Sequence, residues 1–373
     1  MMNNQPLVSI CISYYNDKQF ITDAIESVLK QTYVNFELIL LNHASTDGTR
    51  DLVHSFVDKR IKHIDYPINL GAVSGLLLEK MFDLSRGKYI KFFSADDILK
   101  NDAIEALVDF MEKHQNIDFC FGDVEYINKF SETLKETWFK NRDSFSDNDT
   151  NINCLKKFFK GLSIFPYAGQ MIRRVSLKKH FFDKTNIQLL DVFLWMSLLA
   201  NGKNVGFIKK IVAYYRIHEG QTTGVANLEL VLKRSYFESS TMISFWSKLK
   251  DVNLIKQIFS DSQYATSLSD EKYIPFIVYE YFLEKNEDRT AFEYLHEMMQ
   301  ENENIKALES VFQFTVNDFR KLYSKTNVLN RKKINWRKEA RNIGGQLTAI
   351  QMLYLLLFKL FRFKKNKSKK FST

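Results

Sequence analysis

Apolar and polar positions alternate between two periods along the first 130 residues. Residues 7–13 (L-V-S-I-C-I-S) form a short apolar run rich in β-branched side chains, the pattern of a strand covered on both faces. Over residues 19–31, Phe20, Ala24, Ile25, Val28 and Leu29 fall on one helical face. The alternation then repeats. Strands are predicted at 36–42, 61–66, 89–93 and 118–127, and helices at 49–59, 72–84 and 102–114. Such a succession with short connections specifies βαβ units, hence an α/β fold with a mostly parallel sheet and helices on both faces.

Residues 131–161 are polar, including S-D-N-D-T-N-I-N, and read as a surface excursion. Order resumes at 165–174 and continues through a helix at 191–200 to a strand at 205–215. Beyond about residue 225 helical spacing governs some hundred residues, with apolar stripes at 245–249, 273–283 and 291–299. No repeat period stands out there; stacked helix pairs are the alternative to one packed helical unit. At 373 residues the chain exceeds the size at which one hydrophobic core stops growing. Three regions are therefore expected: an α/β domain over 1–224, a helical domain over 225–330 and a tail over 331–373.

Charge separates the tail from the rest. The chain carries a net charge of +9, yet residues 331–373 alone hold thirteen Lys or Arg against the single acid Glu339, a balance of +12. The preceding 330 residues thus balance to −3. A basic face on the main domain is not indicated, so nucleic acid is not an expected partner. Within the tail, residues 347–361 are largely apolar and are flanked by cations. Fifteen helical residues rise about 22 Å, short of the roughly 30 Å hydrocarbon core. Thr348, Gln351, Lys359 and Arg362 fall near one another on a helical wheel. A helix lying on an anionic membrane surface fits this better than a span. The alternative is a helix docked on its own domain or on a partner in a homodimer. Cys11, Cys120 and Cys154 show neither metal-ligand spacing nor a disulfide framework, and the start M-M-N-N-Q-P is not a secretory signal. A cytoplasmic protein, peripherally attached to the inner face of the cell membrane, is the expectation.

In an open parallel sheet the ligand sits beyond the carboxyl ends of the strands. The segments there are S-Y-Y-N-D (13–17), N-H-A-S-T-D-G-T (42–49) and S-A-D-D-I-L (94–99). Two adjacent carboxylates at a strand end, Asp96 and Asp97, repel each other unless a cation or hydrogen-bond donors compensate. Mg²⁺ or Mn²⁺ takes oxygen ligands, and Mg²⁺ completes its shell with water and substrate phosphates. The pair therefore suits a diphosphate-bearing substrate. The plainer reading makes Asp97 the cap of a helix starting near Asn101, or part of a solvated turn.

Together with N-L-G, R-G-K-Y-I-K-F-F-S-A-D-D, D-F-C-F-G-D, L-D-V-F-L-W-M and Y-Y-R-I-H-E-G-Q-T-T, these motifs resemble the family 2 glycosyltransferases over residues 6–224. The resemblance implies a GT-A, Rossmann-like fold. It also implies inverting transfer of a sugar from a nucleotide-diphosphate donor to a glycan or lipid-linked acceptor in bacterial surface-polysaccharide synthesis. On that basis Ser13, Tyr15, Asn42, His43, Ser94 and Ala95 lie along the nucleotide-sugar site. Asp96, with Asp97 beside it, binds Mn²⁺ or Mg²⁺, and Asp191 is the catalytic base. Arg216 and His218 close over the donor diphosphate. The plainer readings make Asp191 a helix N-cap, Arg216 the partner of a surface acid, His218 an exposed loop residue and Trp195 core. The sequence departs from the family pattern at four places. Asn42–His43 stands where a pair of aspartates is usual, and Ser94 replaces the first acid of D-x-D. Gly75, Leu76 and Leu77 replace A-R-N, and Leu190 replaces the acid before Asp191. A non-catalytic descendant that binds a carbohydrate or a partner in an assembly complex is the second function class. A nucleotidyltransferase would need a Gly- and base-rich phosphate loop after the first strand, which residues 13–17 lack.

Overall fold

A computed structural model of the protein describes residues 5–70, 75–140, 150–159, 164–221, 228–286 and 289–325. The chain divides into two compact units. One comprises Met1–Phe158 and Leu162–Asn227; the other comprises Phe159–Gly161 and Leu228–Thr373.

The first unit is an α/β sandwich in which the apolar runs become sheet. Strands β1 (Val8–Tyr14), β2 (Phe36–His43), β3 (Ile61–Tyr66) and β4 (Tyr89–Phe93) lie in the order β3-β2-β1-β4, all parallel. Helices α1 (Ile21–Leu29), α2 (Thr49–His54) and α3 (Gly75–Leu84) connect them. Every residue of β2 and β4 is buried, as expected of strands covered on both faces. Gly75 opens α3 against a close backbone neighbour. A Cβ there would meet the carbonyl oxygen of Asp183 at 1.8 Å, so this approach of α3 to the 183–184 backbone requires glycine.

The second half of this unit adds β5 (Ile98–Leu99), α4 (Ala103–Lys113), β6 (Phe119–Asn128), β7 (Thr133–Thr137) and α5 (Asn151–Phe159). It continues with β8 (Gln170–Arg173), α6 (Leu190–Ala200) and β9 (Val205–Ile217). Here the sheet becomes mixed. β8 inserts between β4 and β6, antiparallel to both, while β6 and β9 run parallel. β5 pairs antiparallel with β9 and β7 with β6. β1–β4, β6 and β9 share one direction, and β5, β7 and β8 oppose it.

The predicted surface excursion over 131–161 is corrected by β7 and α5. In α5, Cys154, Leu155 and Phe158 are buried, an apolar helical face that the preceding S-D-N-D-T masks in sequence. Trp195, on α6, is fully buried. Its indole stacks on Phe119 at 5.9 Å and meets Phe121 edge-on at 5.0 Å, so it belongs to the core.

The second unit is helical, with α7 (Leu228–Ser247), α8 (Val252–Ile258) and α9 (Ile274–Asn286) followed by α10 (Arg289–Met298), α11 (Asn302–Phe312) and α12 (Val316–Lys325). Trp246, Phe259, Phe276, Leu283 and Phe312 are among its buried residues. Asp251 caps α8 by accepting the Leu254 amide. The basic amphipathic segment over 331–373 lies outside the described residues. Among those described, no helix is long and apolar enough to cross a membrane.

Candidate active site

The loops after β1 and β2 are fastened to each other. Asn16 adopts a left-handed φ of 57°, its side-chain oxygen accepts the Thr46 amide at 2.8 Å, and its own amide donates to the Ser45 hydroxyl at 3.1 Å. Asn42 is buried between two partners. Its oxygen accepts the Ser45 amide, and its Nδ2 donates to Asp65 at 3.0 Å. Asp65 also pairs with Arg50 at 2.9 Å. Asn42 thus organises the loop from within.

His43, only 3% exposed, stacks on Tyr15 with ring centroids 5.3 Å apart. Its Nδ1 lies 3.1 Å from the Asn69 side-chain oxygen. Burial lowers its pKa below the ordinary imidazole value, with the Asn69 contact opposing. The imidazole is therefore neutral at physiological pH, with Nδ1–H directed at Asn69. Ser13, part-buried near the end of β1, and Ser94 and Ala95, following β4, complete the strand ends on this side.

Asp96 and Asp97, in the bend between β4 and β5, divide into two environments. Asp96 faces outward, and its Oδ2 lies 3.1 Å from Nε2 of His218. Asp97 is 1% exposed, and its Oδ1 accepts the backbone amide of Arg216 at 3.0 Å. Burial and the adjacent Asp96 charge raise the Asp97 pKa well above the carboxylate range. Asp97 is followed by β5, and α4 is capped at Asp102, so the helix-cap reading of Asp97 is not what forms.

Arg216, 1% exposed, spends its guanidinium on protein groups. Nε donates to the Asp96 carbonyl, Nη1 to the Ser131 hydroxyl and Nη2 to Asp23, each at 2.8 Å, over the ring of Phe20. The predicted pairing with an acid is thus present, with Asp23 of α1 as the acid. Gln221 bonds back to the Arg216 carbonyl and accepts the His218 amide, which fixes the turn beyond β9.

Acids exceed local cations at this point. Asp17 accepts the Tyr15 amide at 2.9 Å, and its carboxyl is pushed up to about 6 by burial, with Asp96 and Asp47 adding to the shift. Such mutual repulsion is what a divalent cation relieves. Asp96 and His218, both partly exposed, bring one oxygen and one nitrogen to the same point. Among the described residues no set of three acid, His or Cys side chains forms a complete cage. A partial shell fits a cation that also takes substrate phosphates.

Asp191 lies in the first turn of α6, where its Oδ1 accepts the Val192 amide at 2.8 Å. The N-cap is Leu189, so Asp191 is not the cap. Tyr167, in the turn that leads into β8, has its phenol pKa raised well above the ordinary value by burial first, with the charges of Asp191, Cys11 and Asp97 adding. Sequence reasoning did not single out Asp17, Asp23 or Tyr167. Asp17 had a signal, since it ends the S-Y-Y-N-D segment; Asp23 and Tyr167 depend on contacts far apart in sequence.

Carboxyl-end loops that gather polar groups, an Asp–His pair and buried acids place the candidate site beyond the strand ends, where a ligand of an open α/β sheet binds. The glycosyl transferase family 2 model matches residues 9–181. An uncharacterized glycosyltransferase of Methanocaldococcus jannaschii is 27% identical over 251 residues, covering 66% of this chain and 82% of that protein. The Escherichia coli UDP-Glc:alpha-D-GlcNAc-diphosphoundecaprenol beta-1,3-glucosyltransferase WfgD is 30% identical over 212 residues, covering 54% of this chain and 75% of its own length. The structure of S. aureus TarS 1-349 in complex with UDP-GlcNAc aligns with a TM-score of 0.52 at 15% identity, over 85% of this chain and 90% of that one. The chain belongs to glycosyltransferase family 2.

Proposed function

We propose that the protein transfers a sugar, with inversion, from a nucleotide-diphosphate donor to a lipid-linked or growing glycan in surface-polysaccharide synthesis. The observation that carries this reading is the convergence of Asp96 and His218 at an acid-rich strand end. Asp96 and His218 would hold Mn²⁺ or Mg²⁺, which when bound supplies the charge that balances the departing nucleoside diphosphate. Asp97 acts inward, fixing the end of β9 through the Arg216 amide. Arg216 is a positioning residue in this scheme, because its donors are taken by Asp96, Ser131 and Asp23. Asp191 takes the proton of the attacking acceptor hydroxyl.

On the donor side, Ser13, Tyr15, Asn42, His43, Ser94 and Ala95 line the nucleotide-sugar site. A neutral His43 offers Nε2 as an acceptor for a base N–H. The acceptor class follows the Escherichia coli relative, whose name specifies a diphosphoundecaprenol-linked N-acetylglucosamine. The basic tail over 331–373 would hold the enzyme on the anionic inner face of the membrane, where such an acceptor resides. A release assay over UDP-, GDP-, dTDP- and CDP-sugars, with and without Mn²⁺, tests the reading. Metal-dependent release of nucleoside diphosphate from one of them is expected. No release, together with no thermal stabilisation by any nucleoside diphosphate, contradicts it.

A further inference from the structure

Lys91 sits in the middle of β4, fully buried between Ile90 and Phe92. A buried ammonium is costly unless it is hydrogen-bonded, and an apolar side chain would serve the core at lower cost. Lys91 has specific partners. Its Nζ donates to the carbonyl of Ala168 at 2.7 Å and to that of Gln170 at 2.9 Å. Gln170 closes the contact from the other side, its Nε2 donating to the Phe92 carbonyl at 2.7 Å. The β4–β8 ladder registers only Tyr89 with Arg173 and Ile90 with Ile172. Where the ladder ends, the Lys91 side chain takes over the bonding.

The segment so held is the turn Tyr167–Gly169, which leads into β8. It is tight, since a Cβ on Gly169 would meet the Gly122 carbonyl oxygen at 2.3 Å. Its first residue, Tyr167, is part-buried; its carbonyl accepts the Gln170 amide, and its phenol is not engaged in that bond. Burial, then the negative charge of Asp191, with Cys11 and Asp97 adding, keep its phenol protonated well above the usual range. In the sheet order, this turn flanks β4 on the side opposite β1 and β2, whose loops carry the nucleotide positions. A phenol is both donor and acceptor, which suits a sugar hydroxyl.

We propose that Lys91 is a positioning residue that clamps the Tyr167–Gly169 turn to the donor strand, so that the Tyr167 hydroxyl binds the acceptor sugar. The acceptor half of this inference rests on the transferase reading above; the clamp does not. Hydrogen exchange of the full chain therefore tests the clamp by itself. Lys91→Met should keep cooperative unfolding and stabilisation by UDP or GDP with Mn²⁺, while amides over 167–172 exchange about tenfold faster or more. Tyr167→Phe should leave exchange and nucleotide stabilisation unchanged. With a synthetic GlcNAc-diphospho-lipid as probe acceptor, it should raise the acceptor KM about tenfold. Unchanged exchange in Lys91→Met overturns the clamp. An unchanged acceptor KM in Tyr167→Phe, or loss of nucleotide stabilisation in that variant, overturns the acceptor role. If the wild-type chain turns over no nucleotide sugar, the transferase reading and the acceptor role fall together, and the exchange result still decides the clamp.

Discussion

Nε2 of His218 lies 3.1 Å from Oδ2 of Asp96, across 122 residues of sequence. The turn that follows the last strand thereby meets the acidic end of β4. Asp96→Ala and His218→Ala should each lower kcat/KM by about 100-fold or more, the scale of losing one preorganised electrostatic group. Both side chains are partly open to solvent, so the unfolding midpoint should stay close to that of the wild type. A Mn²⁺ titration of turnover in each variant checks this. Loss of fold in place of loss of metal response would count against the assignment.

Asp191→Asn keeps the shape of the side chain and removes its basicity. Turnover should fall by roughly 10²–10⁴, the range for a positioned general base. Thermal stabilisation by nucleoside diphosphate with Mn²⁺ should be retained, because the donor side is untouched. Single-turnover kinetics beside a thermal shift separate the two effects; loss of donor binding would move Asp191 out of the base role.

Arg216 and Asp23 form an uneven pair, one buried and the other about half exposed. Arg216→Met leaves the Asp96 carbonyl, the Ser131 hydroxyl and Asp23 without their donor, and should cost about 3 kcal/mol in urea unfolding. Asp23→Ala removes only the solvent-facing acid and should cost about 1 kcal/mol or less. Equal effects would show that the buried donor set is not what matters.

In the proposed donor site, His43 would set the pH signature. Its lowered pKa keeps the ring neutral, and protonation would remove the acceptor lone pair offered to the base. Nucleoside diphosphate affinity should be flat from about pH 8 to about pH 6.5 and weaken only below the ordinary imidazole range. His43→Ala should bind about tenfold more weakly throughout and lose that acid limb. Calorimetric titrations at four pH values decide it; an acid limb that survives the substitution assigns it to another group.

In the helical unit, Glu280 on α9 is buried, and its pKa is raised from 4.5 to about 8, first by burial and then by Glu284, with Lys285 opposing. Between those values the folded state holds a proton that the unfolded chain has released. Stability of this unit should therefore fall as pH rises from 4.5 to 8 and level off above. Glu280→Gln should flatten that slope and raise stability at pH 8.5 by about 1–3 kcal/mol. Urea midpoints at pH 5 and 8.5, read from the second unit, provide the check; an identical slope in the variant removes Glu280 as its source.

The strands that carry the site were legible because an apolar run bounded by polar ends is a local signal. β3 and β4 form over 61–66 and 89–93, as the pattern predicts, and the polar residues after β1, β2 and β4 do gather at one edge. The reversed strand β8 and helix α5 were not legible as such. The first is fixed by pairing with β4 and β6, far apart in sequence, and the second hides its apolar face behind a polar run. The inward turn of Arg216 likewise depends on Asp23 and Ser131, which no periodicity connects to it. Lys91 did leave a trace, as the cation inside an otherwise apolar strand.

The most direct measurement is nucleoside diphosphate release from the nucleotide sugar that the wild-type chain consumes, followed with Mn²⁺, with EDTA and in Asp96→Ala. The account predicts release with Mn²⁺ and loss of that release both on chelation and in the variant. Undiminished release in EDTA, or full release by Asp96→Ala, would contradict it.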